Sequence, residues 1–136
     1  MHWRYLSWMP ALVWSGALYR LLTMEVDVEP KPWMFPHLDK VIHFGFFALF
    51  AWLLYWPLAW QGRVPAWRAA WLSFLLATVY GGWMEYVQST LAHRQGSWAD
   101  VIANAVGAAT VFGAIRAWPL LLDLLQCRQA RDHIAA

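Results

Sequence analysis

Three short stretches bring together side chains that can move protons or hold an anion. The first is Asp39-Lys40-Val41-Ile42-His43-Phe44. The second is Glu85-Tyr86-Val87-Gln88, and the third runs from Asp100 through Asn104 to Gly107. On a helix, residues three or four apart share a face. Asp39 therefore lies on the face of His43, and Glu85 on that of Gln88. Asp100, Asn104 and Gly107 form one stripe. Arg94 sits in the chain between the second and third stretches. His43, Glu85 and Asp100 are candidate acid–base groups, with Asn104 placed to stabilise charge. Lys40 and Arg94 offer charge-assisted donors to an anion. Asp39, Lys40, His43, Glu85, Gln88, Arg94, Asp100 and Asn104 together make a candidate ligand-binding set.

Composition says what must position these groups. The chain has 136 residues, of which 61% are hydrophobic and 13% charged, with twelve tryptophans. Mean hydropathy is +0.39. An ordinary soluble domain is about 45–50% apolar and about 25% charged. So apolar a chain of this size exceeds what a small soluble fold can bury, which points to one membrane domain. The net charge of +2 gives no footprint for nucleic acid. The single cysteine, Cys127, excludes an intrachain disulfide and a cysteine metal cluster.

Uncharged runs cover residues 5–19, 41–62, 69–84 and 101–115. A spanning helix takes about 20 mostly apolar residues. Extending the shorter runs to Arg20, Glu85 and Asp100 gives four spans, at roughly 5–23, 41–60, 67–91 and 98–118. Pro30, Pro32 and Pro36, the turn 61–65 and the turn 93–97 separate them, with Ser97 a helix N-cap. Arg4, an apolar run and Ser15-Gly16-Ala17 resemble a signal peptide, but Trp8 and Trp14 favour a retained anchor. Pro119 is expected to interrupt the last helix, leaving a short amphipathic helix at the interface. The expected architecture is all-α: a four-helix transmembrane bundle over residues 1–118 and an amphipathic cytoplasmic tail over 119–136.

The side sharing the N-terminus, the 61–66 turn and the C-terminus carries Arg4, Arg63, Arg68, Arg116, Arg128 and Arg131. The other side carries Arg20, Lys31, Lys40 and Arg94. The excess of basic residues places both termini inside. Trp56, Trp60, Trp67, Trp71 and Trp118 then form an inner aromatic belt, with Trp33, Trp83 and Trp98 at the outer interface. At about 1.5 Å per residue, His43, Glu85 and Asn104 fall at one level near the outer face. Each group has a scaffold reading. Asp39 can be an N-cap, Lys40 an interfacial anchor, His43 a satisfied interior histidine and Glu85–Arg94 a pair tying a turn. Asn104 and Gly107 can be helix-packing residues. As a set they favour a functional site, because ionisable groups at membrane depth are costly to keep.

At these residues the chain resembles the VanZ-like family. The shared pattern reads Asp39-Lys40-x-x-His43-Phe44, then Glu85-x-x-Gln88, then Arg94, then Asp100-x-x-x-Asn104-x-x-Gly107. Val111 departs from it, standing where relatives carry a second glycine. The resemblance implies a bacterial multi-span protein of the inner (cytoplasmic) membrane tied to envelope precursors, since the family is named for a teicoplanin-resistance protein. Two functions of different kinds are compatible with the residues. One is a protein that binds or modulates a lipid-linked envelope component through an outward-facing polar pocket, affecting glycopeptide sensitivity. The other is a small intramembrane enzyme acting on a lipid phosphate by His/Glu/Asp acid–base chemistry. The expected partners are membrane lipids and a lipid-linked cell-wall precursor. No metal-ligand pair at a standard spacing, nucleophile elbow or phosphate-binding glycine loop is present. Asp39, His43, Glu85 and Asp100 could in principle hold a metal from three helix ends, but no metal and no cofactor is assigned.

Overall fold

The computed structural model describes residues 3–25, 37–60, 64–92 and 96–135, with side chains from Tyr5 to Ala117 in those ranges and at Pro119. The prolines at 30, 32 and 36, Trp33, Arg63 and Arg94 lie outside the described residues. Among the described residues all regular structure is helical. A single turn, α1 (Trp3–Leu6), precedes four longer helices: α2 (Met9–Thr23), α3 (Leu38–Trp60), α4 (Ala66–Ser89) and α5 (Trp98–Ala135).

Two boundaries differ from expectation for reasons that lie with proline. The first apolar run is helical in two pieces, because Pro10 has no N–H to give to Leu6 and so sits at the start of α2. Pro119, by contrast, does not end α5, which runs through it to Ala135. The φ of proline is itself helical, so its ring removes one i→i−4 bond while the turns on either side keep theirs. Pro57 is carried inside α3 in the same way. The backbone therefore shows no break between a last span and a separate tail helix. Asp39 is also not the cap of α3: the helix begins at Leu38, one residue earlier. His37, at a left-handed φ of 67°, turns the chain into it, and its carbonyl accepts from Lys40 and Val41.

Two helical stretches, α3 and the Trp98–Ala117 part of α5, are long and apolar enough to cross a membrane. At about 1.5 Å per residue, α3 is roughly 35 Å long, against a hydrocarbon core of about 30 Å. These two fit a membrane protein. Helix α2, with 15 residues, is shorter than that core.

Helices α3, α4 and α5 all pack on one another, and α2 packs on α3 and α4. Side chains that reach across fix their directions. His43 meets Asn104 near the start of both α3 and α5, so these helices run parallel. Ser97, just before α5, meets Glu85 near the end of α4, so α4 runs the other way. Three donors clamp α2 along its length: Trp14 Nε1 to the Phe46 carbonyl, Tyr80 Oη to that of Ser15, and Gln88 Nε2 to that of Leu22. The result is an up–down–up–down arrangement.

The three central helices meet along buried seams with a four-residue rhythm. On α4 the seam reads Ala69, Ser73, Ala77, Gly81 and then Glu85, all buried. Small residues at this spacing let helix backbones approach closely. On α3 it reads His43, Phe47, Ala51, Leu54, and on α5 Asp100, Asn104, Ala108, Val111. Val111, the position departing from the family pattern, is fully buried. Outward faces carry large apolar side chains such as Val41, Leu75, Val79 and Ile102.

Candidate functional site

Each seam turns polar at the same end of the bundle. His43, Glu85, Asp100 and Asn104 occupy the last seam positions of α3, α4 and α5, and all are at least nine-tenths buried. Their convergence follows from helix direction. The first turns of α3 and α5 and the last turn of α4 come to one level because α4 is antiparallel to the other two.

His43 is the hub. Its Nδ1 lies 3.0 Å from Asn104 Oδ1 and 3.4 Å from Glu85 Oε1. The two oxygens of Glu85 have different surroundings. Oε2 accepts the backbone N–H of Ser97 at 3.1 Å, whereas Oε1 is buried with no hydrogen-bond partner. Asn104 Nδ2 is likewise buried and unpartnered. Leaving such an atom unsatisfied costs about 1–3 kcal/mol. Thr78 Oγ1, earlier in α4, is buried without a partner as well.

Asp100 closes the third side. One oxygen donor or nitrogen donor from each of His43, Glu85 and Asp100 can be chosen so that all lie within 4.8 Å of one another. Lys40 Nζ donates to Asp100 Oδ1 at 3.2 Å and to Asp39 Oδ2 at 2.7 Å. Lys40 thus bridges two acids at the rim, and Asp39 stays largely exposed. Asp39 and Asp100 share the ammonium of Lys40, and Glu85 faces His43, so among the described residues of the cluster three carboxyl groups stand with one lysine.

Two glycines make the arrangement possible. A Cβ on Gly107 would collide with the carbonyl of Phe44, the neighbour of His43. Helices α3 and α5 therefore touch backbone to backbone one turn below the His43–Asn104 contact. A Cβ on Gly96 would sit 2.7 Å from the carbonyl of Glu85. The missing side chain lets residue 96 lie close enough to the end of α4 for the Ser97 N–H to reach the Glu85 carboxylate.

The structure thus brings together five of the eight candidate ligand-binding residues, with Lys40 at the rim joining His43, Glu85, Asp100 and Asn104. Asp39 belongs through Lys40 alone. Gln88 turns its amide to α2. Arg94 lies outside the described residues. The reading of the sequence did not foresee Gly96 or the Ser97 N–H as partners of Glu85; Ser97 stands instead only as a helix start, where its carbonyl does accept from Asp100 and Val101. The adjacent Gly96-Ser97 pair was the available signal.

A model of the family described as VanZ/LLP1 matches residues 3–121. The chain belongs to the VanZ/LLP1 family. The match contains every residue of the cluster, and it bears out the resemblance carried by the Asp39–Gly107 pattern. Among curated proteins the chain is similar to the "Uncharacterized protein C11E3.10" of Schizosaccharomyces pombe. They are 37% identical over 97 residues, which is 71% of this VanZ/LLP1 chain and 52% of the relative. The chain thus spans about half the length of that relative. No solved structure matches it.

Proposed function

We propose that this VanZ/LLP1 protein is a four-span membrane protein whose polar cluster, facing outward, engages the phosphate of a lipid or lipid-linked carrier. The observation that carries the reading is the convergence of His43, Glu85 and Asp100 from three helices, with Glu85 Oε1 unpartnered, at one end of an apolar bundle. A headgroup at the interface meets that end while its acyl or prenyl chain lies along the apolar outer faces. Lys40 at the rim supplies a donor to the phosphate. In a bacterial inner membrane with both termini inside, the site faces the side where lipid-linked cell-wall precursors are used, which connects it to teicoplanin sensitivity. A relative in a fission yeast weighs toward the lipid phosphate as the shared chemistry, rather than one bacterial precursor.

Binding of a polyprenyl phosphate to the purified protein in nanodiscs tests this reading. Saturable binding of the phosphate, absent with the matching polyprenol, is expected. Equal binding of both sinks it. Orientation is tested separately: a reporter fused after Ala136 should be active on the cytoplasmic side, and activity outside refutes the placement.

A second reading, hydrolysis of the lipid phosphate, is favoured by the 3.4 Å approach of His43 Nδ1 to Glu85 Oε1 in a buried setting. A histidine and carboxylate so placed form an acid–base pair, with Asn104 fixing the ring. Release of phosphate from the polyprenyl phosphate, or its diphosphate, by the purified protein separates enzyme from binder.

A further inference from the structure

We infer that His43, Glu85 and Asp100 form a binding site for a divalent metal cation. The role given to that cation rests on the headgroup reading above; the site itself stands on three observations independent of it. The first is the donor set: one imidazole and two carboxylates, from three different helices, with ligand atoms within 4.8 Å of one another. Metal–ligand bonds of about 2.0–2.2 Å place neighbouring donors roughly 3–4 Å apart, so small side-chain rotations close the site. The second is Glu85 Oε1, which is buried, unpartnered and turned toward His43. Its sister oxygen is already held by Ser97 N–H, which fixes the carboxylate plane with one lone-pair edge directed at the gap. The third is the support of the other ligands. Asn104 Oδ1 accepts from His43 Nδ1, which leaves Nε2 as the ring nitrogen with a lone pair for a cation, and Lys40 holds Asp100. Outer partners of this kind orient metal ligands.

Charge decides between a cation and an anion as the direct occupant. Among the described residues the site offers three carboxyl groups and one lysine, a donor set richer in ligands for a cation than in donors for a bare phosphate. A divalent cation matches that set. It neutralises Glu85 and Asp100, and its open coordination positions take phosphate oxygens, so an acidic cluster becomes a phosphate receptor. Three protein ligands with two oxygens and one nitrogen suit Mn²⁺ or a similar borderline-hard ion. Along the chain the three ligands are 42 and 15 residues apart, so no short ligand spacing marks them. Only the antiparallel course of α4 brings Glu85 between the other two.

The test uses the full chain in nanodiscs of neutral lipid and Mn²⁺ alone. One Mn²⁺ per chain is expected. Its spin-echo spectrum should carry the nitrogen coupling of one imidazole, a readout that needs no variant. Glu85→Gln, Asp100→Asn and His43→Gln should each weaken Mn²⁺ binding roughly tenfold or more, and Tyr80→Phe should leave it unchanged. No Mn²⁺ binding, or binding without nitrogen coupling, overturns the site. Adding polyprenyl phosphate and inorganic phosphate in separate arms distinguishes a lipid headgroup from free phosphate as the second ligand. If metal binds but neither phosphate does, the headgroup reading fails and the cation site stands. If lipid phosphate binds equally well with and without chelator, the cation site fails and the headgroup reading stands.

Discussion

Along α3, α4 and α5 the same buried stripe changes chemistry from one end to the other. Toward the Trp56–Trp60 and Trp67–Trp71 end it is built from Leu54, Ala51, Ala69, Ser73, Ala77 and Val111. Toward the other end it holds His43, Glu85, Asp100 and Asn104. The first half rests mainly on shape, although Thr78 Oγ1 is buried there without a partner. Small side chains seat the backbones, and Ser73 satisfies its hydroxyl on the Ala70 carbonyl of its own helix. The second half has the same helices at the same spacing, yet it keeps two buried polar atoms unpaired. Alanine or leucine at those positions would continue the packing at no such cost. The polar end is therefore not an extension of the core but a departure from it, tolerated because the apolar half holds the helices in place.

Substitutions along the stripe test whether its two ends differ in this way. The largest effect is expected from Gly107→Val, which forces α3 and α5 apart where the backbone of one meets that of the other. Overpacking costs about 1–3 kcal/mol when side chains can yield, and the Phe44 carbonyl cannot. The melting temperature in detergent should fall by roughly 10 °C or more, with phosphate and Mn²⁺ binding lost together. A normal melt would mean that the close approach is not a structural requirement.

Next comes Glu85→Gln, which keeps shape and one acceptor and removes the charge. It should melt within a few degrees of the unaltered protein while binding polyprenyl phosphate roughly tenfold more weakly, or about 1.4 kcal/mol. Failure to fold would make the polar end a scaffold like the rest of the seam. Tyr80→Phe removes only the bond to the Ser15 carbonyl. It should cost about 1 kcal/mol, seen as a small shift in melting, with binding intact. The smallest effect is expected at Trp60, which is 72% exposed. Trp60→Ala should change stability by no more than about 0.5 kcal/mol and leave phosphate binding alone. A loss of binding there would couple the two ends and erase the contrast.

The helical pattern was legible because charge and proline punctuate an apolar chain. Gaps between charged residues placed α3, α4 and the start of α5 to within a few residues. The identities within the polar set were also legible, since His43, Glu85, Asp100 and Asn104 share spacing on their own helices. What the chain did not reveal lies between helices. Whether Pro119 breaks a helix depends on what surrounds it, not on its own φ. The turning of Gln88 to Leu22 instead of to Glu85's neighbours depends on where α2 packs. The Ser97 N–H is a backbone group and has no residue type to announce it.

The contact of Gly107 with the Phe44 carbonyl has a mechanical consequence. A bilayer thins, thickens and bends around the proteins in it, and helices respond by tilting or sliding. Side-chain contacts absorb such motion through rotamers, so distances across them drift. A backbone seated on a backbone has no rotamers to spend. With that fixed point one turn below His43 and Asn104, the two helices can tilt together but not slip past each other. The spacing of the groups above is thereby referenced to the protein's own framework, and it stays constant while the thickness of the surrounding lipid does not.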